Sequence, residues 1–463
     1  MSYIMSAIKD QDRVKFASLA FSTLLLLMLN IVVTLSSSLN PNVLSLAQGE
    51  NKQIILKAML DDLGQLGKKE RWQLLFNDAL NELEKRHPGL EIEMNYTEFS
   101  GNESRLRFLS ALDNKSSVDL ISVDQIWLGE FAEKGFLTDL SNYTQRWGRA
   151  SDWYEMNWDG GAYNDRIYGI WAWTDVRGMW YWKDLLNQAG ISPDSLKTWD
   201  GYITAARKID NDVLNGMIVQ SVHLSGVDTA VDMWYPYLWM TGGTIVESRH
   251  GHPTRDFYWY PSYNSSEGVR ALGFIKNQID AGIKPQTILF DTAFAQNKSF
   301  AVMLAGSWIP GEFPRQEWPN LEEKLGFIPM FPVPSAGNDT ATTMGGWMLS
   351  IPESSKNKDL AWELITIALE PDRLAPWLER YGYLPAQVPI GERVMQANNL
   401  TSFPYYAEMI SMIPFGHNRP AIPEYPQIAT HIKQALDDVY EGSKSPEQAL
   451  DDAAAKSATV LGW

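Results

Sequence analysis

Residues 53–59 read QIILKAM, residues 68–86 KKERWQLLFNDALNELEKR, residues 90–96 LEIEMNY and residues 118–123 VDLISV. The first is a short apolar run of the kind a buried strand requires. In the second, Trp72, Leu75, Phe76, Ala79, Leu80 and Leu83 recur at helical spacing until His87-Pro88-Gly89 stops them. In the third, Leu90, Ile92, Met94 and Tyr96 alternate with the period of a strand. Leu106, Leu109 and Leu112 mark another short helix, and the run 118–123 is again an apolar strand. Strand, helix, strand, helix, strand implies parallel pairing with helices on both faces, the α/β class. Ligands of such sheets collect at the carboxyl ends of the strands. That directs attention to Glu98–Asn102 and Asp124–Trp127.

Downstream, residues 171–182 (WAWTDVRGMWYW) lead into an amphipathic helix starting near Asp184. Thr198-Trp199-Asp200 is a helix entry with Asp expected at or near the cap. Trp234–Met240 runs into the turn Thr241-Gly242-Gly243, and a helix is expected around Asp291–Gln296. Gly345–Ile351 reads as a strand and Pro446–Ala458 as an amphipathic closing helix. Upstream, residues 17–35 (ASLAFSTLLLLMLNIVVTL) carry no charge and follow Arg13 and Lys15. Such a segment targets a membrane with its N-terminus inside. Residues 1–49 are read as this anchor plus a polar linker; a cleavage-like Ser45-Leu46-Ala47 leaves removal open.

At 463 residues the chain exceeds what one core serves, so two lobes are expected. A net charge of −17 argues against nucleic acid, which needs a basic face. With no cysteine, disulfides, zinc–thiolate sites and thiol nucleophiles are excluded. Of 19 Trp, seven lie between Trp147 and Trp182. Eight Asn-x-Ser/Thr sequons, at Asn95, Asn102, Asn114, Asn142, Asn264, Asn297, Asn338 and Asn399, fit an N-glycosylated exterior surface. There is no G-x-S-x-G, H-E-x-x-H, G-x-G-x-x-G or P-loop, and no cofactor is implied. His250-Gly251-His252 lacks a third metal ligand and reads as a surface loop.

Several segments in one order carry a family resemblance: HPGLEIE (87–93), VDLISVDQIWLGEFAEKGFLTDLS (118–141), WMTGG (239–243), NKSFAVMLAGSW (297–308), GFIPMFPVP (326–334), GGWMLSIPESSKNKDLAWELI (345–365) and EGSKSPEQALDDA (441–453). Together the chain resembles the sugar-binding, maltose/trehalose-binding branch of the solute-binding proteins of ABC importers. The resemblance implies the two-lobe, type II periplasmic-binding-protein-like fold, with discontinuous lobes joined by a multi-strand hinge. It puts residues 50–173 and 348–395 in the N-lobe, and residues 176–345 and 396–463 in the C-lobe. Hinge crossings fall near Trp173–Val176, Gly345–Met348 and Tyr381–Val388. It implies a monomer on the extracellular face of the membrane of an archaeon or bacterium. That monomer would close on a sugar or polyol and deliver it to ABC permease and ATPase subunits.

A sugar ring offers an apolar C–H face and a hydroxyl rim, matched by aromatic planes, carboxylates, amides and Arg. At family ligand positions stand Trp173 and Asp175, Trp308, Gly346 and Trp347, Asp124, and Arg419 in HNRPAIPEY (417–425). Glu98, Trp171 and Trp239 complete the candidate set. Trp171 and Trp173 are two apart, so on a regular strand they share a face. Each has a plainer reading: a buried Trp is core, Asp124 caps a helix, and Gly345 and Gly346 serve backbone needs. Trp72, Trp199, Trp362 and Trp377 lie on helical patterns and are assigned to packing. Where many family members carry Pro-Tyr or Pro-Trp, Ile170-Trp171-Ala172-Trp173 stands here, so ligand identity does not transfer. The rival readings are a carbohydrate-active enzyme, with a carboxylate pair drawn from Asp152, Glu155, Asp159, Asp165 and Asp175, and a sugar-sensing or adhesion receptor not coupled to transport.

Overall fold

The structure, a computed structural model, describes residues 52–61, 70–99, 104–114, 117–212, 227–283, 294, 298, 300–313, 320–396 and 405–463. The expected anchor and linker, the sequons at Asn102, Asn297 and Asn399, and the helix around Asp291–Gln296 apart from Phe294 lie outside these residues. Among the described residues no helix is long and apolar enough to cross a membrane.

The strands are β1 (Lys52–Asp61), β2 (Leu90–Phe99), β3 (Leu120–Asp124), β4 (Ala162–Tyr163), β5 (Arg166–Ile167), β6 (Ile170–Asp175), β7 (Arg177–Trp182), β8 (Val246–His250), β9 (Phe257–Pro261), β10 (Val302–Gly306), β11 (Leu325–Ile328), β12 (Thr342–Thr343), β13 (Gly345–Ser350) and β14 (Gly416–His417). Among the described residues, those up to Ile55 and Leu80–Met94 form one compact unit: the start of β1, the end of the first helix and the first half of β2. Everything below concerns the larger unit, Leu56–Ala79 with Asn95–Trp463.

The helix Glu70–Arg86 follows β1 where the sequence periodicity puts it, and Trp72, Leu75 and Phe76 are buried. In one sheet of this unit β1, β3, β13 and β6 lie side by side in that order, and a second has the order β10-β7-β11. β1 and β3 run parallel, as the alternation of elements implies, while β13 enters antiparallel between β3 and β6. All pairing in the second sheet is antiparallel. The chain leaves the first sheet at Asp175 and enters the second at Arg177, with Val176 alone between. It returns from β12 to β13 through Met344. Leu384 bridges Thr174 in a third passage, and the Thr174 hydroxyl donates to the Gly345 carbonyl at 3.0 Å. These three segments therefore lie side by side.

Two local expectations are corrected. The backbone N–H of Gly201 bonds to the hydroxyl of Thr198, so Thr198, not Asp200, caps the helix Trp199–Asp212. On β13, consecutive residues Trp347 and Met348 face Trp173 and Trp171, leaving Ala172 without an opposite number. This one-residue bulge breaks the alternation, so Trp171 and Trp173 point to opposite faces instead of sharing one.

Candidate functional site

β3 ends at Asp124, and the helix Gln125–Glu133 begins at once. Asp124 caps that helix, its Oδ1 accepting from the Ile126 N–H at 3.3 Å. The same oxygen accepts from Arg419 Nη2 at 3.2 Å. Arg419 is 3% exposed, and its other nitrogen, Nη1, donates at 3.0 Å to Asp232 on the helix Val227–Met240. Arg177 Nη2 reaches that same Asp232 oxygen at 2.8 Å, while Arg177 Nη1 bonds to Asp175 at 3.0 Å and to the Thr343 carbonyl at 2.9 Å. A continuous chain results: Asp124, Arg419, Asp232, Arg177, Asp175.

Three carboxylates face two guanidiniums here, a formal excess of one negative charge. Burial pushes the carboxyls of Asp124 and Asp175 above the ordinary range, against the pull of Arg419 and Arg177 respectively. Burial acts to lower Arg419, but Asp232 and Asp124 outweigh it and hold the guanidinium firmly charged. The network keeps unused capacity: Asp232 Oδ1 and the Nε atoms of Arg177 and Arg419 are buried with no hydrogen-bond partner. Unsatisfied buried polar atoms are costly in a purely structural network.

Two half-buried indoles bracket this chain. Trp347 is the register partner of Asp124 and meets Trp127 edge to face at 5.4 Å. Trp308 lies over Gly306, where a Cβ would come within 1.7 Å of its ring, and its ring centre is 5.7 Å from the Arg177 guanidinium. Beside Trp127 opens a cavity of about 310 Å³, lined by Arg105, Ile126, Val227, Asp228, Tyr425, Pro426 and Thr430 as well. Arg105 is held by Glu130 at 2.6 Å, and the Tyr425 hydroxyl lies 3.2 Å from that of Tyr235. Asp228 makes no ion pair among the described residues; burial first, then Asp232 and Asp124, push its carboxyl up to about 6.

The structure thus gathers Asp124, Asp175, Trp308, Trp347 and Arg419 into one constellation. Gly346 adjoins it with φ +122°, a conformation that favours glycine, and its backbone lies against the Trp173 carbonyl. Trp171 and Trp173 are core residues, 1% and 3% exposed. Trp173 stacks on Tyr383 at 4.8 Å and packs on Trp72 and Trp377, so no open ring face remains for a sugar. Trp239 stacks on His417 at 4.7 Å and borders a different cavity. Glu98 lies on β2, and its side chain is outside what is described.

Sequence reading missed Asp228, Asp232, Arg177 and Tyr425. A signal existed for the first two: acidic residues four apart in an otherwise apolar helix, VDTAVDMWYPYLWM, share one face.

Residues 66–373 match a family model described as bacterial extracellular solute-binding protein. A putative binding protein of Brucella abortus (strain 2308) is 23% identical over 392 residues, 83% of this chain and 89% of that protein. An ABC-transporter solute-binding protein of Thermotoga lettingae, solved with alpha-D-tagatose, superposes with a TM-score of 0.73 at 26% identity, over 88% of this chain and 100% of its own. The GacH receptor of Streptomyces glaucescens, solved unliganded and with acarbose, gives a TM-score of 0.71 at 21% identity, over 88% and 99%. The fold is α/β, of the two-lobe type II class, with discontinuous lobes joined by a multi-strand hinge.

Proposed function

The chain belongs to the bacterial extracellular solute-binding protein family, and on that premise we propose that it captures a sugar between its lobes and hands it to the permease and ATPase subunits of an ABC importer. The lobes in this reading are residues 50–173 with 348–395, and residues 176–345 with 396–463. The observation that carries it is the buried chain from Asp124 to Asp175. It joins segments of both lobes, keeps spare hydrogen-bonding capacity, and is bracketed by Trp347 and Trp308. Carboxylates and guanidiniums suit a hydroxyl rim, and indoles suit C–H faces. Tagatose and acarbose, bound by the two solved relatives, are saccharide-like solutes of that chemistry.

In the same reading the protein binds without turnover and acts as a monomer on the outer membrane face, held or led there by residues 17–35. Glycans at the exposed Asn95, Asn114, Asn142 and Asn338 would clothe its surface.

Thermal unfolding of the purified protein against mono-, di- and oligosaccharides, polyols and amino acids tests this. A ligand at about 100 times its Kd adds about 2.7 kcal/mol of stability, a visible midpoint shift. A shift confined to saccharides or polyols supports the reading; none across the panel sinks it. Trp347→Ala should then weaken binding of the saccharide found by about 1–3 kcal/mol. An unchanged Kd by titration calorimetry would make Trp347 a packing residue.

A further inference from the structure

Trp239, expected in the interlobe site, is instead one wall of a separate cavity of about 380 Å³. Its other walls are Trp259 of β9, Tyr163 of the β4–β5 hairpin, Val246 of β8 and the segment Asn418, Pro420–Ile422. The volume falls in the range of small-molecule sites. The lining is aromatic and aliphatic with a few amides and hydroxyls, and no Asp, Glu, His, Lys or Arg is among it. An ionic solute would lose its hydration there with nothing to replace it, so the occupant is uncharged.

The rings are placed for stacking. Trp239 stacks on His417 at 4.7 Å with an interplanar angle of 19° and meets Tyr235, tilted, at 5.5 Å; the indole is half-buried, and what it leaves uncovered lines the cavity. Trp259 is 38% exposed, and among the described residues no aromatic ring packs on it. Its backbone carbonyl accepts from Trp463 Nε1 at 2.7 Å, so the strand is fixed while the indole stays available. Phe257, two residues earlier on β9 and therefore on the same face, is 57% exposed and carries an aromatic surface outward from the cavity. Hydrogen-bonding capacity is present too. Asn418 Nδ2 donates to the Met156 carbonyl at 2.5 Å, but its Oδ1 has no donor; Asn164 is exposed at the rim.

We propose that this cavity is a second carbohydrate site, taking one ring of a neutral saccharide between Trp239 and Trp259, with further rings running out over Phe257. It is distinct from the Asp124–Asp175 chain: no residue of that chain lines this cavity, and it shares no lining residue with the cavity beside Trp127. A sugar chain longer than the Asp124–Asp175 site encloses would gain a second point of attachment, and with it a higher local concentration at the receptor.

The test is fluorine NMR on the full chain labelled with 5-fluorotryptophan, the two signals being assigned through Trp239→Phe and Trp259→Phe. Maltotriose, an arabino-oligosaccharide and a xylo-oligosaccharide are titrated into the parent and into Trp347→Ala. The expected result is a saturable shift of both signals with at least one probe, retained in Trp347→Ala and weakened at least tenfold by Trp259→Ala. The affinity of any tighter interlobe site is expected to be unchanged by Trp259→Ala. Signals that stay still while Trp347 responds would overturn the second site and leave the interlobe reading standing. Shifts that disappear in Trp347→Ala would do the same, marking a relayed effect. Broadening with protein concentration alone would assign the face to a second copy of the chain instead. If no probe moves any indole signal, both readings fall.

Discussion

Asp124 does two jobs with one oxygen, accepting from the Ile126 N–H and from Arg419. Replacement can separate capping from ligand recognition, because Asn caps a helix as well as Asp while Ala does not. If the carboxylate also receives sugar hydroxyls, Asp124→Asn and Asp124→Ala should both weaken saccharide binding by about 1–3 kcal/mol. Only the Ala variant should lose a further ~1 kcal/mol of unfolding free energy through the cap. Calorimetric titration beside denaturant unfolding decides: Asn at parental affinity would reduce Asp124 to a cap. Asp228 offers a pH test. Its folded carboxyl, up at about 6, lies above the unfolded value of about 3.9. The folded chain therefore holds a proton that the unfolded chain has released, and this contribution to stability is lost as pH rises from about 4 through 6. Asp228→Asn should be at parity near pH 4 and more stable than the parent by up to about 3 kcal/mol well above pH 6. Equal pH profiles in denaturant titrations would mean that Asp228 is solvated in the fold.

The elements show why sequence reading succeeded where it did. The helix Glu70–Arg86 and strands β1, β2, β3 and β13 were legible because each has a consistent period and a clear stop. Single-residue events were not. The bulge at Ala172 has no compositional mark, yet it decides which face each of two tryptophans takes. The same holds for the site. Asp124, Trp308, Trp347 and Arg419 were reached through strand ends and family position. Asp232 and Arg177 were not, because their pairing partners are up to 187 residues away in sequence. Trp173 now belongs to packing: its ring contacts Trp72, Trp377 and Tyr383. Trp173→Ala should cost about 3–5 kcal/mol in unfolding free energy. Measured at a temperature where the variant is still folded, its saccharide affinity should change by less than about tenfold. Parental stability with lost binding would return Trp173 to the ligand.

For the whole molecule, one close approach between segments assigned to the two lobes is made at a glycine. Gly129, in the helix Gln125–Glu133, has no side chain where the chain from Arg419 to Ile422 passes. A Cβ there would stand 2.5 Å from the Ala421 carbonyl oxygen and 2.9 Å from the Ile422 nitrogen. Backbone atoms cannot swing aside as a flexible side chain does, so a methyl group at this position must push the two segments apart. Beside it, Gln125 donates to the Arg419 carbonyl at 2.7 Å, and the Asp124–Arg419 pair lies one residue further on. If the lobes open about the crossings at Thr174, Gly345 and Leu384, the contacts at Gly129, Gln125 and Asp124 must break. If the contact forms only on closure, Gly129→Ala leaves the open protein intact, or up to about 1 kcal/mol more stable through helix propensity. It then penalises only the closed state. Affinity falls by the factor by which the closed fraction falls, expected to be tenfold or more, and the loss appears as faster ligand release. Small-angle scattering should show a ligand-induced fall in radius of gyration for the parent that Gly129→Ala lacks. A melting point several degrees lower, with parental affinity and the same compaction, would instead make Gly129 a fixed packing position and place the hinge motion elsewhere.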